Sequence, residues 1–251
     1  MADPFAQPNA PSALDFTLQV ECFYAALISF APLPQEPSLG GQLLYSGHLD
    51  PEARAILVAA NIAGAASLAA TADTAAQKQA LRSGIVDFLV NSLDEALRIL
   101  KNEIRKRQTV AVCVAVSSPV LELEMHARGV KPDVVRSEGA PLHKSTPFLT
   151  WRVASAPARW LPKLDAIALQ CLGFNSDPNV GIARRWLRLA PRYLGRQAQS
   201  MRLMRGTAEF YEAFVEQVRS AVLSDEIPVE VEIRFKGSSI DDNQTISPQV
   251  P

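Results

Sequence analysis

One block of this chain constrains its fold more than any other feature: residues 41–135 alternate strand-like and helix-like segments, each change marked by a cap or breaker. Residues 43–46 read as a strand. Asp50 can cap a helix with Pro51 at its first position, and that helix carries Ile56, Leu57, Ala60 and Ala63 on one face. Residues 67–71 form a weaker strand, then Asp73 caps a short helix that stops at Gly84. Residues 85–90 are the next strand. Ser92 and Glu95 make a capping box for a helix with Leu93, Leu97, Leu100 and Ile104 inward. Lys101, Arg105 and Lys106 lie in its last turns, where cations suit the helix dipole. Residues 109–116 are apolar throughout, as a central strand should be. Ser118 and Pro119 open another helix that stops at Gly129, and residues 133–135 are a short last strand. Strands separated by capped helices predict an α/β fold, a doubly wound parallel sheet of at least four strands with helices on both faces.

The rest of the 251 residues divide around this block. Residues 1–12 are rich in Pro, Ala and Asn and are expected to be a disordered N-terminus. Residues 13–40 hold an N-terminal helix and a proline-rich linker. Phe16, Phe23 and Leu27 make that helix too apolar for a lone surface element, so a buried position or a homo-oligomer contact is expected. The α/β domain is placed at 41–150. Residues 151–236 are expected to be a C-terminal helical segment, with helices near 160–172, 180–205 and 207–224. A closing strand at 229–235 alternates one apolar and one charged face and reads as an edge strand or hairpin partner. The tail at 237–251 is expected to be disordered.

Composition limits the function classes. A net charge of −1 with 48% hydrophobic residues gives no bulk signal for nucleic acid or an anionic membrane. No apolar run is long enough to cross a bilayer, and with no basic region leading into an apolar stretch at its start no signal peptide is expected. Cys22, Cys113 and Cys171 are far apart in apolar stretches and read as buried reduced thiols of a cytoplasmic protein.

Residues 41–135 resemble the NAD-binding domain of urocanase (urocanate hydratase). The pieces that carry the likeness are Ala59-Ala60-Asn61-Ile62-Ala63-Gly64-Ala65, Gly84-Ile85-Val86-Asp87, Leu93-Asp94-Glu95-Ala96-Leu97 and Arg128-Gly129-Val130-Lys131-Pro132-Asp133-Val134-Val135. Each alone is generic, and in this order they are moderately specific. The resemblance implies a Rossmann-like domain. In the family, tightly held NAD acts as an electrophile toward the imidazole of urocanate, and water is added.

The chain departs from the family at the carboxyl ends of its strands. Where the family has a Gly-Gly-x-Gly-Gly turn, Asp50-Pro51-Glu52-Ala53-Arg54 stands here. Thr71 replaces the acid that holds the ribose, Val116-Ser117 replace a Gly-Asn pair, and Ser137-Glu138-Gly139-Ala140 replace an Asp-Gln-Thr-Ser run. A pyrophosphate at a helix N-terminus needs open N–H groups, but Pro51 has none and Asp50 would cap its neighbours. The expectation is therefore a domain without NAD or any other cofactor, without hydratase activity, and acting by interaction or self-association. The rival expectation is an enzyme or small-molecule binder that uses the retained crevice for another ligand. Its residues would come from Gly47, His48, Thr71, Ser117, Ser118, Glu138 and His143, with His48, His143 and Glu138 able to exchange protons.

No histidine pair has metal-ligand spacing, and His126 is expected at the surface. Seven arginines, the first Arg184 and the last Arg205, come without an intervening acid. They read either as a solvated face pairing with Glu209, Glu212, Glu216, Asp225 and Glu226 or as a polyanion surface. A nucleic-acid role is the less favoured, and a protein partner is left unnamed.

Overall fold

A computed structural model describes residues 13–31, 37–136, 146–174, 180–237 and 241–248. The chain order begins α1 (Ala13–Ile28), β1 (Leu43–His48), α2 (Pro51–Ala63), β2 (Ala66–Ala70), α3 (Thr74–Arg82) and β3 (Phe88–Val90). It continues α4 (Leu93–Lys106), β4 (Val110–Val114), α5 (Ser118–Ala127) and β5 (Val134–Val135). These five strands form one parallel sheet in the order β3-β4-β2-β1-β5. The predicted doubly wound fold is present, with β4 in the interior and parallel to β3.

Local chemistry accounts for the helix starts. Asp50 Oδ1 accepts from Ala53 N at 2.7 Å with Pro51 in the first turn. Asp73 accepts from Ala75 N, and Ser92 Oγ accepts from Glu95 N. The Glu95 carboxylate reaches one residue further back than a capping box would place it, to Asn91 N at 2.9 Å. Alternate strand residues then feed two faces. Val110, Val112 and Val114 pack with Leu93, Leu100 and Leu121 under α4 and α5. Cys113 and Leu44 turn to the other face, which α2 covers and α1 backs.

The second half differs from the helical segment predicted. It contains β6 (Phe148–Arg152), α6 (Pro157–Phe174), α7 (Val180–Leu194), a short 3-10 turn, β7 (Met201–Arg205), α8 (Ala208–Leu223), β8 (Val231–Lys236) and β9 (Asp241–Ile246). The strands make an antiparallel sheet in the order β7-β6-β8-β9. Four expectations are corrected by it. The end of the predicted 180–205 helix is strand, because Gly195 turns the chain at φ +59° and Met201–Arg205 then pairs with β6. β6 straddles the boundary placed at residue 150 and has no counterpart among the expected elements. β8 is interior and not an edge, flanked by β6 and β9, while its antiparallel pairing with the next strand β9 agrees with the hairpin alternative; its alternation does bury Val231, Ile233 and Phe235, but a face pattern says nothing about what borders a strand laterally. Residues 241–246 of the expected disordered tail are a paired edge strand, polar because one side faces water.

The N-terminal helix is satisfied within the chain. Val20, Tyr24, Leu27 and Ile28 are buried, with Phe16 and Phe23 packed against them. Tyr24 donates to the Ile182 carbonyl at 2.9 Å and stacks obliquely on Trp186 of α7. One continuous core therefore reaches from the parallel sheet through α2, α1 and α7 to the antiparallel sheet. Residues 1–12 of the predicted disordered N-terminus lie outside the described residues.

Candidate functional site

In a doubly wound sheet the ligand crevice opens at the carboxyl edge, where the strand order reverses. Here the chain runs from β1 to β2 and out to the edge strand β3, comes back to insert β4 between β3 and β2, then crosses to lay β5 on the other side of β1. The switch point lies between the exits of β1 and β5. The first exit bears Gly47, His48, Asp50 and Glu52, and the second bears Arg136.

Gly47 supplies a left-handed turn at φ +74°, where the pairing of β1 with β2 slips. His48 is exposed at the rim, and its carbonyl accepts from Asp50 N at 2.9 Å. No hydrogen bond joins its imidazole to a hydroxyl or thiol among the described residues. Arg136 crosses the switch point. Its guanidinium donates to Asp50 Oδ2 at 2.9 Å and to Glu52 Oε2 at 2.7 Å. Only 15% of the Arg136 side chain is exposed. Asp50 thus has two roles: one oxygen caps α2 and the other holds Arg136. The positive end of α2 is covered by the protein's own carboxylates, and an internal cation partly balances them.

The other candidate residues separate. Thr71 is fully buried and consumed: its N–H donates to the Val114 carbonyl, its hydroxyl accepts from Asp73 N, and its carbonyl accepts from the Gln77 amide. That is a turn holding the entry to α3. Ser117 is the N-cap of α5 but makes no side-chain capping bond. Ser118 is buried beside Tyr45, whose phenol donates to Glu122 at 3.0 Å. Burial raises the Tyr45 pKa, so the phenol stays protonated. Glu138 and His143 lie outside the described residues, as does all of the 137–140 run. His126 is exposed on α5, as expected.

No thiol is poised as a nucleophile here. Cys113 is buried in β4 and its pKa is pushed up to about 11 by burial. Cys171 is also buried, whereas Cys22 is only half-buried, less than its apolar neighbours suggested. Among the described residues no group of three His, Cys, Asp or Glu side chains could hold a metal, and no helix is long and apolar enough to cross a membrane.

Arg136 is the switch-point residue that sequence reading missed. A cation placed just after the last strand, facing two acids just after the first, was the available signal; it becomes visible only once the switch point is located. The basic run fits its solvated-face reading only in part: Arg184, Arg188 and Arg192 are exposed on α7, but two other members are tied elsewhere. Arg202 pairs with Asp165 of α6 and Arg205 with Glu21 of α1, instead of with the acids of α8. The family model of the urocanase Rossmann-like domain matches residues 21–149, the span that builds the second half of α1, the whole parallel sheet and its switch point, and on that match the chain belongs to the urocanase family.

Proposed function

We propose that this urocanase-family domain has given up NAD and the hydration of urocanate, and that it serves as a binding module, self-association included, instead of a catalyst. The observation that carries the reading is the Arg136 bridge to Asp50 and Glu52 over the N-terminus of α2. A pyrophosphate placed there would lose the Ala53 N–H to Asp50 and find no N–H on Pro51. It would also meet two carboxylates. Each contact at about 4 Å costs on the order of 1 kcal/mol in water and about 4 kcal/mol at a protein surface. Arg136 offsets part of this repulsion, yet it could serve a phosphate only by releasing both acids. With Thr71 where the family holds ribose through an acid, neither end of a dinucleotide is supported. The residues present do not fit NAD.

The test is calorimetric titration of the full chain with NAD, with an ultraviolet assay of urocanate loss. The expected outcome is no heat of binding below millimolar NAD and no turnover. NAD retained through purification, or turnover above the uncatalysed rate, would overturn the proposal. Conversion of another small molecule, sensitive to His48→Ala, would favour the rival in which the crevice takes a different ligand.

A further inference from the structure

A second hollow lies at the opposite, amino edge of the parallel sheet. It is an open groove of about 1330 Å³. Its floor is the start of β3 and β4, with Phe88 and Thr109 among the residues there. One wall is the second half of α4, from the face of the sheet that packs on Leu93 and Leu100; the other is α7, from the far side of α2. Arg98, Lys101, Arg105 and Arg107 come from the α4 side, and Arg185 and Arg192 from α7. The two basic sets are some 80 residues apart in sequence, and only the fold brings them around one hollow.

Two carboxylates line the groove, and both are engaged. Asp87 accepts from Ala111 N at 2.8 Å, and Glu103 binds Lys106 at 3.0 Å and the Asn102 amide. Arg185 is tied to α2: its Nε donates to the Ile62 carbonyl at 2.7 Å at the helix C-terminus, a place its charge suits. It packs so closely there that a Cβ on Gly64 would come 2.5 Å from its guanidinium. Arg98 and Lys101 feel Asp94, but Arg128 is that carboxylate's direct partner. Arg105 bonds the neutral Asn102 at 3.2 Å. Arg107 and Arg192 are exposed, the second over the ring of Tyr193. The helix dipole explains cations in the last turn of α4. It does not explain Arg98 earlier in that helix, or Arg192 facing it from another.

We propose that this groove is a binding site for a polyphosphate group. Guanidinium forks pair with phosphate oxygens two at a time, and ammonium adds point charge without geometric demand. The cations surround one hollow; they do not form a track across the surface. That arrangement suits a compact multiply charged group over an extended strand of nucleic acid or acidic peptide. The exposed ring of Phe88 and the half-buried Tyr193 at the same groove offer apolar contact to whatever carries the phosphates. The site is separate from the carboxyl edge and stands whether or not the domain has lost NAD.

The test uses the full chain with two probes, inorganic tripolyphosphate and ATP, titrated by calorimetry at low salt. Both are expected to bind, and raising salt from about 50 to about 200 mM should weaken binding at least tenfold, as release of several counterions requires. ATP binding more tightly than tripolyphosphate would assign the ligand to nucleotides; equal binding would assign it to the phosphate chain alone. Lys101→Glu with Arg105→Glu should reduce affinity tenfold or more. The control pair Lys78→Glu with Arg82→Glu, on α3, should leave it unchanged. Circular dichroism checks folding, and Lys101→Gln with Arg105→Gln replaces the reversal pair if that fails to fold. Equal affinity in the groove and control variants overturns the proposal. So does a single-stranded oligonucleotide binding where neither compact probe does, or no binding by any probe.

Discussion

Arg205 donates through Nε to Glu21 Oε2 at 2.5 Å, fastening the antiparallel sheet to the N-terminal helix across 184 residues of sequence. Glu21 is buried, and burial raises its pKa more than Arg205 lowers it. Such a pair holds a position more than it adds stability, yet it is costly to break from one side. Arg205→Met should cost about 3–5 kcal/mol in urea unfolding because it strands a buried carboxylate. Adding Glu21→Met should recover most of that loss. A single-mutant cost below about 1 kcal/mol would mean that water reaches the pair and that it ties nothing.

Asp165 gives the fold a pH dependence of defined sign. Its carboxylate accepts from Trp151 Nε1 and from Arg202 Nε, each at 3.1 Å. Burial still dominates and lifts its pKa to about 6. An unfolded aspartate titrates near 3.9, so between roughly pH 4 and 6 the folded state binds the extra proton. The stability from this group is fully present below that window and is lost as pH rises through it. Two pKa units bound the effect at about 3 kcal/mol. Asp165→Asn should remove that slope from the variant's stability curve, so the difference between variant and parent changes with pH across the window even if the absolute level shifts. Parallel curves from pH 4 to 6 would refute the assignment.

At the switch point, Asp50 acts as both cap and ion-pair partner, so substitutions there should be non-additive. Arg136→Met leaves Asp50 and Glu52 facing each other, each about a third exposed. The expected loss is about 1–2 kcal/mol, larger at low salt. Asp50→Ala should cost about 1 kcal/mol for the lost cap alone. The double variant should lose less than the sum, since Arg136 without Asp50 keeps only Glu52. Chemical denaturation of the three variants decides it; additivity within about 0.3 kcal/mol would show that the bridge is energetically idle.

The parts of this protein legible in its sequence are those settled within a few residues. Asp50, Asp73 and Ser92 cap helices because each accepting oxygen lies two or three residues from its donor. Gly84 and Gly129 follow helix ends at φ +70° and +64°, a region that favours glycine. Strand polarity in the first sheet followed from the same punctuation, since parallel strands need a helix between them.

What only the tertiary structure decided depends on pairings far apart in sequence. Met201–Arg205 continues a basic helical pattern and becomes a strand because β6 supplies its hydrogen bonds; β6 is a short aromatic run bounded by Pro147 and Pro157, and its partners lie far along the chain. The polar run 241–246 has no strand signature until β8 lies beside it. At the carboxyl edge, Asp50 and Pro51 announced that the helix start was occupied. That Arg136, 86 residues later, would close the crevice over it could not be read locally. Nor could the amino-edge groove, whose cations come from helices on different sides of the sheet. Helix caps are short-range hydrogen bonds and leave a mark in the sequence; ion pairs across a switch point and charges around a groove acquire their meaning only when chain topology sets their distance.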